Sequence, residues 1–180
     1  MNVWSYPSTW HVGDTLNAAT MNARIRDQNT ILLRRPLTVA HVSSNFNIKV
    51  SGSGNTNVSF DVVDQDDDGM VIQTLPTTDF YVQRAGTYQI WFNVTFGTLS
   101  AATDCMSGLL INGANTRWQV QGRIPGFNGT GFSHSLSAMI FLSEGETITP
   151  QVWNGNATTV MACQAVNNTP RIQIMWLGVS

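Results

Sequence analysis

The sequence predicts a mainly β fold, an antiparallel jelly-roll β-sandwich preceded by one N-terminal α-helix, on three observations. From Leu37 onward, apolar and polar residues alternate in short runs rich in β-branched and aromatic types, divided by Gly, Asn, Asp and Pro clusters. No helical interval of the kind that connects parallel strands interrupts those runs. A helical period occurs in one segment only, and it ends at Pro36.

In that segment, "LNAATMNARIRDQNTILLRRP", Ala18, Met21, Ile25, Gln28 and Leu32 recur at spacings of three and four and so share one stripe. Asn17 can cap the first turn, Arg34 and Arg35 suit the negative end of the dipole, and Pro36 stops the run. The expected helix covers about 17–35, and its diluted stripe needs a partner to be stable. With 180 residues, the chain has room for one main domain and a small appendage. We divide it into 1–36, an N-terminal segment, and 37–180, the β domain.

Roughly eight to ten strands are expected after Pro36, and their phases carry information. In "GTYQIWFNVTFG", Tyr88, Ile90, Phe92, Val94 and Phe96 share one face, while Gln89, Asn93 and Thr95 share the other with one misfit, Trp91. The misfits recur. Met139 and Phe141 oppose Leu136, Ala138 and Ile140; Trp153 is out of phase with Ile148 and Val152; Met175 and Leu177 oppose Ile172, Ile174 and Trp176. Strands apolar on both faces must bury both. Trp91, Met139, Phe141, Trp153, Met175 and Leu177 are therefore expected at an interface between subunits.

Composition narrows the function. Charged residues are 11% of the chain, against roughly a quarter in an average soluble protein, and lysine occurs once, at Lys49. A surface of Ser, Thr, Asn, Gln and Gly offers little charge to keep copies apart and suits an assembly. The net charge of −2 gives no basic footprint for nucleic acid. The opening "MNVWSYPSTWHVGD" has neither a basic leader nor a continuous apolar core, and no run approaches the ~20 apolar residues of a membrane span. The expectation is a soluble product made in a cytosol, with no membrane insertion. Cys105 and Cys163 are too few for a disulfide framework, lack metal-ligand spacing, and read as buried thiols.

No nucleophile motif, zinc-helix motif or phosphate-binding glycine loop is present, and His11, His41 and His134 stand in unrelated contexts. His134, in phase with Leu136 and Ala138, is expected in the core or an interface. No catalytic residue and no cofactor is expected, and the chain reads as non-enzymatic. In "FDVVDQDDDGMVI", Asp64, Asp66, Asp68 and Gly69 match the first half of a calcium loop, but the twelfth position is Leu75 and the flanks are strand-like. A turn is expected there, with Asp64, Asp66 and Asp68 as the candidate metal ligands if any ion binds. The stretch "RWQVQGRIPGFNGTG", residues 117–131, is expected to be a loop in which Trp118, Arg123, Phe127 and Asn128 could stack on and hydrogen-bond a host cell-surface glycan.

The order "FDVVDQDDDGM", "FYVQRAGTYQIWFNVTF", "LLINGANT", "LSAMIFLSEGETITPQVWN" and "IQIMWLGV" resembles the tumour necrosis factor-like, complement globular-head type of jelly roll found in phage structural proteins. Its landmarks here are Asp68 with Gly69, Gly86 with Tyr88, Asn112 with Gly113, Leu142 with Gly145 and Glu146, and Trp176 with Leu177, spread over roughly residues 38–180. "TWHVGDTLNAATMNARIRDQ" is similar to the opening of minor tail and tail-tip proteins of long-tailed phages, through Trp10, Gly13, Asp14, Ala18, Ala19, Asn22, Ile25, Arg26 and Asp27. Together the resemblances imply a homotrimeric phage virion protein, a minor tail or tail-tip component. Residues 1–36 would anchor it to another virion protein, through Trp10, Ala18, Met21, Ile25 and Leu32. The alternatives are a receptor- or carbohydrate-binding module for host adsorption and a capsid decoration protein. A far-reaching fibre role is not expected, because these 180 residues include no long shaft of the kind many tail fibres carry.

Overall fold

The computed structural model describes Asn22 and Asn29 and residues 35–49, 55–97, 99–113, 117–129, 131–155, 161–163 and 169–178. The chain divides into two compact units, Met1–Pro36 and Leu37–Ser180. In the first, Asn22 and Asn29 are α-helical. The rest of the helix expected over about 17–35 lies outside the described residues, as do Trp10, Ala18, Met21, Ile25 and Leu32.

The second unit is an antiparallel two-sheet β structure. Its described strands are β1 (Leu37–His41), β2 (Phe46–Ile48), β3 (Thr56–Asn57), β4 (Val62–Asp66), β5 (Phe80–Tyr81) and β6 (Gly86–Phe96), followed by β7 (Leu99–Ile111), β8 (Arg117–Gly129), β9 (Phe132–Leu142), β10 (Thr147–Asn154), β11 (Met161–Cys163) and β12 (Arg171–Gly178). One sheet runs β9, β6, β12, β1, β4, with β11 and β2 added at the end of β6. The other runs β3, β10, β7, β8, with β5 also on β10. The four strands of two or three residues, β2, β3, β5 and β11, are too short to show a period and take the number beyond the eight to ten expected.

β6 organises the core. Its alternation buries Tyr88, Ile90, Phe92, Val94 and Phe96 on one face, as expected from their phase. It pairs along its whole length with β9, from Gly86↔Leu142 to Phe96↔Phe132, and with β12 from Asn93↔Arg171 to Thr87↔Gly178. Leu136 and Ala138 on β9 and Ile172, Ile174 and Trp176 on β12 are buried in the matching phase. The second sheet adds Leu109, Ile111, Ile148 and Val152, and Phe60 meets Phe80 edge to face at 5.3 Å. Each such side chain stabilises the fold by about 1.5–3 kcal/mol on burial, so the two inner faces hold the sandwich closed.

Residues 117–129 are not the loop expected from their glycines and proline. They form β8, the outer strand of the second sheet, paired with β7 from Ile111↔Arg117 to Leu99↔Gly129. An outer strand tolerates Pro125, whose missing N–H need not serve a second neighbour. The register shifts around Thr103 and Cys105, opposite Ile124 and Phe127, absorb the Pro125–Gly126 pair. Trp118, Arg123, Phe127 and Asn128 therefore belong to a strand and not to the expected loop.

Gly86 opens β6 at φ 152°, and a Cβ there would lie 2.6 Å from the Gly178 carbonyl oxygen and against the Trp176 indole nitrogen. Gly86→Ala is expected to destabilise the protein by about 1–3 kcal/mol, as a lower urea midpoint at unchanged slope.

Candidate functional site

The outward face of the larger sheet is laid out by its registers. Met139, Gln89, Met175 and Leu37 stand in one row across β9, β6, β12 and β1. Ser137, Trp91, Gln173 and Val39 form the next row, and Ser135, Asn93, Arg171 and His41 the third. Phe141 pairs with Thr87 one row beyond Met139, and Leu177 sits in the register shift between Trp176 and Gly178.

One end of this face is apolar and the other polar. Met139 is 65% exposed and Phe141 54%, while Trp91, Met175 and Leu177 are half-buried. At the polar end Asn93 Nδ2 donates to Ser135 Oγ at 2.8 Å, and Arg171 Nη2 donates to Asp64 Oδ2 at 2.7 Å. A depression of about 310 Å³ lies between, lined by Trp91, Asn93, Ser135, Ser137, Arg171 and Gln173. Five of the six residues expected at an interface thus share one face.

Trp153 does not join them. It stands on β10, in the other sheet, beside Met106 of β7, and its ring folds over Gly155, where a Cβ would come within 2.9 Å of it. Being out of phase places a residue on the outside of its own sheet. A sandwich has two outsides, and phase alone does not say which.

The aspartates diverge. Asp61 accepts from the Ser43 N–H at 2.7 Å and from the Ser43 hydroxyl; Asp64 bonds His41 Nδ1 at 3.0 Å as well as Arg171; Asp66 accepts from Thr38 Oγ1 at 2.8 Å. Asp67 accepts from the Leu37 N–H at 3.3 Å. These carboxylates fasten β4 and the turn after it to β1, His41 and Leu37 being the ends of that strand. Asp66 also accepts from the N–H groups of Met70 and Val71 at 2.9 and 3.1 Å, which shapes a turn in which Gly69 takes φ 69°. Hydrogen bonding from Arg171 holds the Asp64 carboxyl below its usual range. Asp64, Asp66 and Asp68 thus face three separate sets of protein donors, and among the described residues no three His, Cys, Asp or Glu side chains gather as a metal site would require.

Asp68 turns inward to Arg84, and its pKa is raised because burial outweighs the guanidinium beside it. The Arg84 guanidinium lies 5.3 Å from the Trp176 ring centre, Trp176 Nε1 donates to the Ala85 carbonyl at 3.3 Å, and Tyr88 donates its hydroxyl proton to the Arg84 carbonyl at 2.8 Å. Burial also pushes the Tyr88 hydroxyl upward. A second clasp joins two turns. Asn112, at φ 60°, donates from Nδ2 to Glu146 Oε1 at 2.7 Å and accepts from the Thr147 N–H at 3.0 Å. Glu146 Oε2 in turn accepts from the Ser143 N–H at 2.8 Å.

His134 reaches across the sandwich to Ser107, Nδ1 to Oγ at 2.6 Å, and desolvation lowers its pKa. Cys105 and Cys163 are buried thiols, both pushed up to about 12 by desolvation. Sequence reasoning missed Arg84 as the partner of Asp68, and it missed the exposed Ile72 and Leu75. The one signal for the latter was an uncharged run, "MVIQTLPTT", between Asp68 and Asp79.

No protein-family model and no curated protein matches the chain. Solved structures do. The globular domain of zebrafish complement 1qA protein aligns with a TM-score of 0.57 at 11% identity, over 81% of this chain and 100% of that one. The fold is that of the C1q and tumour necrosis factor-like jelly rolls. Murine APRIL, solved at pH 5.0, aligns with a TM-score of 0.59 at 12% identity, over 80% of this chain and 100% of that one. At such identities the likeness carries the jelly roll itself, and the surface chemistry belongs to this chain.

Three outcomes follow for this jelly roll. His134 is held below its unfolded value of 6.5, so its contribution to stability is complete above about that pH and is lost as pH falls beneath it. The melting temperature is expected to fall between about pH 7 and pH 5, and His134→Gln to flatten that slope. Calcium titration is expected to release no heat and leave the melting temperature unchanged. Asp66→Ala, by contrast, should cost about 1–3 kcal/mol in a denaturant titration, because buried and part-buried donors lose their acceptor.

Proposed function

We propose that this chain is a non-enzymatic structural component of a bacteriophage virion: a homotrimeric minor tail or tail-tip protein that displays its jelly roll on the particle and is held to a neighbouring virion protein by residues 1–36. The observation that carries the self-assembly is the apolar end of the outward sheet face, where Met139 and Phe141 project beside Trp91, Met175 and Leu177. Apolar residues clustered on one side of a sheet mark a surface that another chain covers. The C1q and tumour necrosis factor-like fold supports a compact trimeric head. The placement in a phage tail is supported by the resemblance of "TWHVGDTLNAATMNARIRDQ" to tail-protein openings.

Among the described residues, the carboxylates of the 60s segment and the two cysteines have other tasks. The carboxylates of the 60s segment bind strand β1, the Asp66–Val71 turn and Arg84, and both cysteines stay protonated in the interior. These engagements support a non-catalytic role.

Light scattering of the purified protein at micromolar concentration is expected to give the mass of three chains. Met139→Asp combined with Phe141→Asp should give one chain with an unchanged circular dichroism spectrum, and a monomeric wild-type protein would sink the assembly reading. Imaging of virions carrying tagged protein should show density at the tail, and a variant lacking residues 1–36 should be missing from particles. A tag found only on the capsid would favour the decoration alternative.

A further inference from the structure

Three Asn-Gly steps occur in the sequence, Asn112–Gly113, Asn128–Gly129 and Asn154–Gly155. At such a step the asparagine side chain is open to attack by the backbone nitrogen that follows it, because glycine has no Cβ to shield that nitrogen. The sequence treats the three alike, and the structure separates them. Asn154 is fully buried on β10, and the Gly155 N–H donates to the Asp104 carbonyl at 2.7 Å. Asn128 and Gly129 lie within β8, with Gly129 opposite Leu99 in the ladder. Asn112 is exposed and stands with Gly113 at the bend after β7, at φ 60° and 66°. The space beside Gly113 is open, since a Cβ there would meet nothing within 4 Å, and among the described residues none accepts from its N–H.

What holds this bend is the Asn112 amide. Its Nδ2 donates to Glu146 Oε1 at 2.7 Å, its Oδ1 accepts from the Thr147 N–H at 3.0 Å, and the Asn112 N–H donates to the Thr147 carbonyl at 3.0 Å. Glu146 is fixed in turn, with Oε2 accepting from the Ser143 N–H and its carbonyl from the Val82 N–H, both at 2.8 Å. Both polar atoms of the amide must let go before Cγ can swing to the Gly113 nitrogen. Replacing Nδ2 by oxygen would then set a carboxylate against the Glu146 carboxylate where a donor had been, and like charges in contact repel.

We propose that Asn112–Gly113 is a self-modification site, a one-way latch gated by Glu146: the side chain reacts when the clasp opens, and the product cannot close it again. The Gly113 nitrogen bonds to Asn112 Cγ, the Cγ–Nδ2 bond breaks, and the Gly113 amide proton leaves with Nδ2 as ammonia. Water opens the resulting five-membered imide at one carbonyl or the other, leaving aspartate or isoaspartate. The reaction needs one chain only and does not depend on the self-assembly proposed above.

Peptide mass spectrometry of the full chain, kept folded at neutral pH and sampled over time, tests it. The peptide carrying Asn112 is expected to gain about 1 Da while those carrying Asn128 and Asn154 keep their mass. Glu146→Ala should speed the gain several-fold at Asn112 alone, and Glu146→Gln, which keeps an acceptor, should stay near the wild-type rate. Reaction at all three sites in Glu146→Ala would trace the effect to unfolding and overturn the gating, as would equal rates in wild type and Glu146→Ala. Earlier reaction at Asn128 or Asn154 in the wild-type protein would overturn the assignment of the site. Asn112→Asp, which carries the product's charge from the start, should melt below the wild type, and an unchanged melting temperature would show that the clasp recloses and overturn the latch.

Discussion

Strand β6 has an inner face that water cannot be allowed to reach. Five large side chains, from Tyr88 to Phe96, point the same way over eleven residues, and burying them requires both a partner sheet and flanking strands. β9 and β12 supply the flanks, while Leu109, Ile111, Ile148 and Val152 supply the lid. The same pairing fixes the surface. Once Leu136 and Ala138 must face the core, Met139 and Phe141 must face out, because successive side chains in a strand take opposite sides. The apolar outward surface is thus a consequence of core register, and a one-residue slip of β9 would destroy both together.

The landmarks that made the sequence resemble C1q and tumour necrosis factor-like jelly rolls turn out to be in contact with one another. Asp68, Gly86, Tyr88 and Trp176 meet around Arg84 and Ala85. Asn112 and Glu146 meet at the next pair of turns, and Gly86 pairs with Leu142 between the two clasps. Each position has a physical demand that few residue types satisfy: a glycine where an indole and a carbonyl leave no room for a Cβ, an asparagine that accepts a positive φ, a carboxylate placed to take a guanidinium. Such positions answer to backbone and packing geometry, and they speak for the fold more than for the task.

Charge is used sparingly and locally. Asp61, Asp64, Asp66 and Asp67 fasten one edge strand, and Arg84 and Arg171 each answer an aspartate. The remaining polar surface is mostly hydroxyl and amide, which hydrogen-bonds water without setting up a long-range field. With a net charge of only −2, such a surface sets up little long-range repulsion.

The sequence by itself determined the local matters: the β character after Pro36, the face of β6 that is buried, the outward phase of Met139, Phe141 and Met175, and the turn at Gly69. These depend on periods of two and on φ angles, which neighbouring residues settle among themselves. The tertiary structure alone decided what depends on partners far along the chain. Asp64 meets Arg171 across 107 positions, Trp153 falls on the other sheet from Trp91, and residues 117–129, which their Pro and Gly made look like a loop, pair with β7 as a strand. Alternation says that a side chain points away from its own core but not which strand lies alongside, because strand pairing is a long-range choice made by closure of the whole sandwich.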